Sequence, residues 1–122
     1  MPISRLAECV TETQKDIAAS FLVAPILGHV GDGNFHLIIM FNPNDPKEVV
    51  EVERLNERLV HRALSLEGTC TGEHGIGCGK LDFLIAEHGE AVNVMRAIKK
   101  AIDPDNLMNP GKILREGELV HF

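Results

Sequence analysis

Hydrophobic positions along this chain first indicate a β-hairpin. Residues 21–30, FLVAPILGHV, are almost continuously apolar and predict a mostly buried strand, in which Pro25 must lie at an edge or a bulge. The sequence GDGN at 31–34 is a strong turn signal. The following segment at 35–41, FHLIIMF, has the clearest strand pattern in the chain. The two segments therefore predict an antiparallel pair joined by a tight turn.

Helical patterns flank this hairpin on both sides. Residues 4–19 have a weak helical pattern, with Ser4 as the candidate N-cap. After the hairpin, Asp45 is expected to cap a helix that has Pro46 at its first position and Glu48 where a capping box places an acid. The apolar stripe expected on the buried face of that helix consists of Val52, Leu55, Leu59, Ala63 and Leu66.

Gly68 is predicted to end that helix, and the glycine-rich residues 69–79 that follow have no helical period. Two further helices are predicted over 80–87 and 90–102. The remaining residues, 104–122, form an extended tail because two prolines interrupt them. This order of elements predicts an α+β fold with a small antiparallel sheet whose central hairpin packs against helices.

Composition narrows the class of protein. A chain of 122 residues with 44% hydrophobic and 25% charged residues is typical of one globular domain. The net charge of −6 argues against a nucleic-acid partner. Three cysteines without paired spacing are typical of a reducing compartment, and the N-terminal residues are not a signal peptide. The longest apolar run is too short to cross a bilayer, so we expect a cytoplasmic location.

The two histidines beside the turn are the first candidates for chemistry. A two-residue turn centred on Asp32 and Gly33 would pair His29 directly with His36, and directly opposed residues point to the same face of a sheet. Two imidazoles at that separation can bind one metal ion. They can equally form an ordinary polar cross-strand pair, and a register slip of one residue would place them on opposite faces.

The glycine-rich segment supplies the second group of candidates. Glu73 could be a third metal ligand, which would leave coordination positions open for a substrate. The adjacent His74 could act as a base because its unperturbed pKa lies near neutrality. The alternative is a solvated turn in which Glu73 only accepts hydrogen bonds. This segment lacks the patterns of a phosphate-binding loop and of a dinucleotide-binding fingerprint.

Three motifs in this order carry a resemblance to a known family: GHVGDGNFH at 28–36, GTCTGEHGIG at 68–77 and LMNPGK at 107–112. They resemble the C-terminal domain of FAD-linked oxidases, whose members include D-lactate dehydrogenases, the glycolate oxidase flavin subunit and D-2-hydroxyglutarate dehydrogenase. The resemblance implies part of a ferredoxin-like substrate domain. Residues 1–103 would form its substrate and metal portion, and residues 104–122 would be the tail that returns to the flavin domain.

The resemblance also implies roles for individual residues. His29, His36 and Glu73 would bind a divalent metal, zinc or manganese, that grips the 2-hydroxyl and carboxylate of a small 2-hydroxy acid. His74 would take the hydroxyl proton while hydride passes from the substrate to the flavin, and Asn109 in the tail would contact the FAD. Most of the FAD-binding surface would belong to an absent N-terminal domain or to a separate flavin-binding chain.

Two hypotheses follow. In the first, the chain is the metal- and substrate-binding portion of a flavin-dependent D-2-hydroxy-acid dehydrogenase and is inactive alone. In the second, it is a non-catalytic metal- or ligand-binding module that dimerises. A metal-dependent hydrolase is a third and weaker alternative. Under either of the first two, an exposed sheet edge and uncovered apolar faces would favour a homo-oligomer.

Overall fold

A computed structural model describes residues 1–115 of the chain and confirms the α+β architecture. These residues form four helices and one two-stranded antiparallel sheet. In chain order the elements are α1 (Ile3–Ala18), β1 (Ile26–His29), a 3₁₀ turn (Val30–Asp32), β2 (Asn34–Leu37), α2 (Pro46–Ser65), α3 (Leu81–His88) and α4 (Ala91–Ile102). Two compact units divide the chain, one over Met1–Gly72 and one that begins at Glu73. None of the helices within residues 1–115 has both the length and the apolar character needed to cross a membrane.

The hairpin is one-sided rather than buried on both faces. Leu22 and Ala24 are buried, whereas Val23 and Leu27 are 62% and 55% exposed. The prediction of a mostly buried strand over 21–30 was therefore wrong. A run that is apolar at every position does not reveal which face is covered, and here one face lacks a covering element within the described residues. The regular strand is also shorter, because Pro25 precedes its first residue.

The register of the hairpin differs from the predicted one by two residues. His29 pairs with Asn34 and Leu27 pairs with His36, so His29 and His36 are not directly opposed. The chain turns through the 3₁₀ turn and Gly33, whose φ of 67° is left-handed, instead of through a two-residue turn. Because side chains alternate with a period of two, this shift keeps both histidines on the same face.

The helices α1 and α2 pack together and supply most of the core of the first unit. Its most deeply buried side chains are Cys9, Thr13 and Leu55. Asp16 of α1 accepts hydrogen bonds from Arg58 and Arg62 of α2. Desolvation by itself would raise the pKa of Asp16, but the two guanidinium groups outweigh it and the pKa lies below its usual range. This ion pair links the two helices at the edge of their apolar contact.

The helix α2 begins as predicted and ends differently. Asp45 caps it by accepting a hydrogen bond of 2.9 Å from the Lys47 backbone amide. Glu48 does not complete a capping box, because its carboxylate accepts from the amide of Asn42, outside the helix. The helix ends at Ser65, and the left-handed residue after it is Glu67 rather than Gly68. The weaker prediction for α1 also needs correction, since that helix has no side-chain cap.

The second unit contains α3, α4 and the segment after them. The helix α3 ends before Gly89, as predicted, and α4 buries Val92 while leaving Ile98 and Ile102 exposed. Asp103 at the end of α4 accepts hydrogen bonds from the Lys99 ammonium group and from the amides of Leu107 and Met108. These bonds, that of Lys99 foremost, lower the pKa of Asp103 to about 2.

Candidate functional site

The hairpin presents the two histidines close together. Their ring centroids are 6.1 Å apart, and the ring planes are perpendicular. Close strand approach depends on Gly28, which pairs with Phe35: a Cβ at position 28 would lie 2.5 Å from the Phe35 Cα and 2.5 Å from the Asn34 carbonyl oxygen. The two imidazoles are thus diagonal neighbours on one face, an arrangement that long side chains can bridge.

Glu73 joins the two histidines to form a cluster of possible metal ligands. One nitrogen from each of His29 and His36 and one carboxylate oxygen of Glu73 all lie within 4.8 Å of one another. Atoms bound to one zinc ion in a tetrahedral site lie roughly 3.3–3.6 Å apart. Side-chain rotations that move each ligand atom by about 1 Å would bring the three atoms to such distances. Two imidazoles and a carboxylate are a donor set that zinc and manganese both accept. The residues present therefore fit a divalent ion.

His74 lies beside this cluster and is not one of its three members. Its Nε2 atom is 3.8 Å from Oε1 of Glu73, and its side chain is largely exposed. A protonated His74 would form an ion pair with Glu73 at that distance. The structure thus brings His29, His36 and Glu73 together and places His74 next to the carboxylate.

Asn109 belongs to a tight turn in the second unit. The Lys112 amide donates a 3.3 Å hydrogen bond to the Asn109 carbonyl oxygen, with Pro110 and a left-handed Gly111 between them. Proline followed by a residue of positive φ is the pattern of a type II turn. Asp103 fixes the residues directly before this turn. The side chain of Asn109 is exposed in this unit, and its predicted contact with FAD stays a prediction.

Two further polar residues were not singled out by the sequence. The Asn34 side chain lies against Gly72, which precedes Glu73 in the sequence. Asp103, at the end of α4, accepts hydrogen bonds from the two amides that precede Asn109. The signal for Asp103 was its place before Pro104 at a helix end. Asn34 carried no such signal, because its contact is with a residue far away in the sequence.

The remaining histidines and cysteines do not extend the cluster. His61 is exposed on α2, 3.9 Å from Glu57, and His88 is the last residue of α3. His121 lies outside the described residues. Cys70 is buried and Cys78 is exposed, and neither is a member of the cluster.

Comparison with known proteins gives a family for nearly the whole described chain. The family model described as "FAD linked oxidases, C-terminal domain" matches residues 1–113. A protein of Danio rerio named "Probable D-lactate dehydrogenase, mitochondrial" is 53% identical over 93% of this chain and 23% of its own length. The mitochondrial "D-lactate dehydrogenase [cytochrome]" of Arabidopsis thaliana is 50% identical over 93% of this chain and 20% of its own length.

A more distant similarity is to "Glycolate oxidase subunit GlcD" of Bacillus subtilis, which is 36% identical over 93% of this chain and 24% of its own length. The chain therefore spans about a fifth to a quarter of the length of these curated relatives. Two of the three are named as mitochondrial proteins. The cytoplasmic location expected from the sequence accordingly stays a prediction.

Proposed function

This chain belongs to the family of C-terminal domains of FAD-linked oxidases, and from that premise we propose that it is the metal- and substrate-binding portion of a flavin-dependent D-2-hydroxy-acid dehydrogenase. The reaction would oxidise a small 2-hydroxy acid of the D-lactate or glycolate type to a 2-oxo acid. Support comes from the family, from the names of the relatives and from one observation: two imidazoles and a carboxylate lie within 4.8 Å of one another.

In this proposal, each residue of the cluster has a defined task. His29 and His36 hold a divalent ion from the hairpin, and Glu73 holds it from the glycine-rich segment. When bound, the ion would supply a Lewis acid that lowers the pKa of the substrate hydroxyl. His74 would then accept the hydroxyl proton on an imidazole nitrogen, because histidine is the side chain that most often serves as a general base.

The flavin of an FAD-linked enzyme would supply the oxidant that receives hydride from the substrate. Asn109 is proposed to contact that flavin from its turn. The Asp103 carboxylate would keep this turn at the end of α4 by holding the two preceding amides. Because this chain spans a fraction of the length of its relatives, we propose that it does not oxidise hydroxy acids by itself and requires a flavin-binding domain or chain.

Metal binding tests the proposal directly. The wild-type chain, stripped of metal and titrated with Zn²⁺ or Mn²⁺ in a calorimeter, should bind one ion per chain. His36→Ala should weaken binding at least 100-fold, because it removes one of three ligands. His61→Ala is the matched control, since it removes an exposed histidine of α2 outside the cluster. Equal affinity for wild type and His36→Ala would refute the assigned ligands.

Self-association is a further part of the proposal. On the histidine face of the hairpin, Val23, Leu27 and Met40 are more than half exposed, and within residues 1–115 neither strand has a second neighbour. Exposed strand edges and apolar patches both favour pairing between chains. Light scattering at micromolar concentration should therefore give a mass of at least two chains. A monodisperse mass of one chain would contradict this.

A further inference from the structure

The contact between Asn34 and Gly72 links the two parts of the chain that supply the candidate ligands. Asn34 is the first residue of β2 and pairs directly with His29 across the hairpin. Directly opposed residues point to the same face, so the Asn34 side chain lies on the face that carries both histidines. Asn34 is therefore fixed relative to the imidazoles by the hairpin itself.

The other side of this contact is the backbone at Gly72. A Cβ at position 72 would overlap Oδ1 of Asn34 and lie 2.8 Å from its Cγ and 3.0 Å from its Nδ2. All three atoms belong to one side-chain amide, which occupies the space that a side chain at 72 would need. The φ angle of Gly72 is not in the left-handed region. A side chain at 72 would therefore have to displace the Asn34 amide, whereas the backbone conformation itself does not require glycine.

Glu73 follows Gly72 directly, and consecutive Cα atoms are only about 3.8 Å apart. We infer that Asn34 is a positioning residue: its side-chain amide holds the backbone at Gly72 against the hairpin and so sets the place of the Glu73 carboxylate relative to the two imidazoles. The inference deepens the proposed function and rests on it for its consequence, since a displaced carboxylate matters only where it binds the ion. Groups that orient metal ligands commonly change metal affinity by about 10–100-fold when removed.

A double-mutant cycle in the full chain tests this inference. The variants are Asn34→Ala, Gly72→Ala and the two combined. Calorimetry measures the affinity of each for Mn²⁺. We expect each single substitution to weaken binding by about 10-fold or more. The combined variant should bind more tightly than the product of the two losses allows, because alanine at 34 removes the atoms that the methyl group at 72 would overlap. Independent, multiplying losses would overturn the inference.

Gly79→Ala is the matched control for Gly72→Ala. It adds the same methyl group later in the glycine-rich segment, where a Cβ meets nothing within 4 Å and the φ angle is not left-handed. Its Mn²⁺ affinity should equal that of the wild type. A loss as large as that of Gly72→Ala would show that the segment responds to any added side chain, and the specific role of Asn34 would fall.

A measurement without metal separates this inference from the proposed function. In ¹⁵N–¹H spectra of the metal-free protein, the Glu73 amide resonance should shift in Asn34→Ala and stay in place in Gly79→Ala. If it does not move in Asn34→Ala, Asn34 does not position Glu73, whatever the metal affinity of the wild type. If it moves while wild type and His36→Ala bind Mn²⁺ equally, the positioning role stands and the proposed metal site falls. Circular dichroism of each variant identifies any that fails to fold.

Discussion

Gly28→Ala should disrupt the histidine hairpin and abolish metal binding. A Cβ there would lie 2.5 Å from two backbone atoms of the opposite strand, and backbone cannot rotate out of the way as a side chain can. Overpacking of this kind costs about 1–3 kcal/mol. We therefore expect the free energy of unfolding to fall by about 2–3 kcal/mol, measured by urea denaturation, and the calorimetric signal for Mn²⁺ to disappear.

Gly31→Ala is the control for that substitution. It lies in the same hairpin, but a Cβ there meets nothing within 4 Å and its φ angle is not left-handed. It should change the free energy of unfolding by less than about 0.5 kcal/mol, as a surface substitution does. If Gly28→Ala were as stable as Gly31→Ala, the close strand approach would not be a requirement of this sequence.

Leu55→Ala should cause the largest loss of stability among substitutions in α2. Leu55 is 2% exposed, and truncation of a fully buried leucine removes apolar contacts and leaves a cavity. We expect the free energy of unfolding to fall by about 3 kcal/mol, within the range known for such changes. The measurement is again urea denaturation of the metal-free protein.

Val50→Ala provides the comparison, because Val50 lies on the same helix and is 63% exposed. Its substitution should cost less than about 0.5 kcal/mol. A similar cost for both variants would mean that α2 does not bury Leu55 in solution.

The helices could be predicted from the sequence because their signals are local. Asp45 and Pro46 fix the start of α2 within one turn, and Gly89 ends α3. The predictions failed at details of the helix ends. Glu48 accepts from the Asn42 amide outside the helix instead of completing a capping box. The end of α2 was misplaced by a few residues because Glu67, not a glycine, adopts the left-handed conformation.

The hairpin and the candidate site were predictable in part, for different reasons. A strand and a turn were evident from 21–41, but a run that is apolar on both faces does not indicate which face is covered, so its burial was wrong. His29 and His36 share a face as predicted, because the register differs from the predicted one by two residues and side chains alternate with a period of two. The cluster with Glu73 joins residues far apart in the sequence, which no periodic pattern encodes.

The path between the two strands has a consequence for how this hairpin can change in length. A loop that gains or loses two residues exchanges one set of cross-strand neighbours for another and leaves every side chain on its own side of the sheet. A loop that changes by a single residue inverts one strand, which would turn His36 to the face opposite His29 and leave Phe35 in its place. Even-numbered insertions between His29 and His36 are therefore the ones compatible with keeping two imidazoles together.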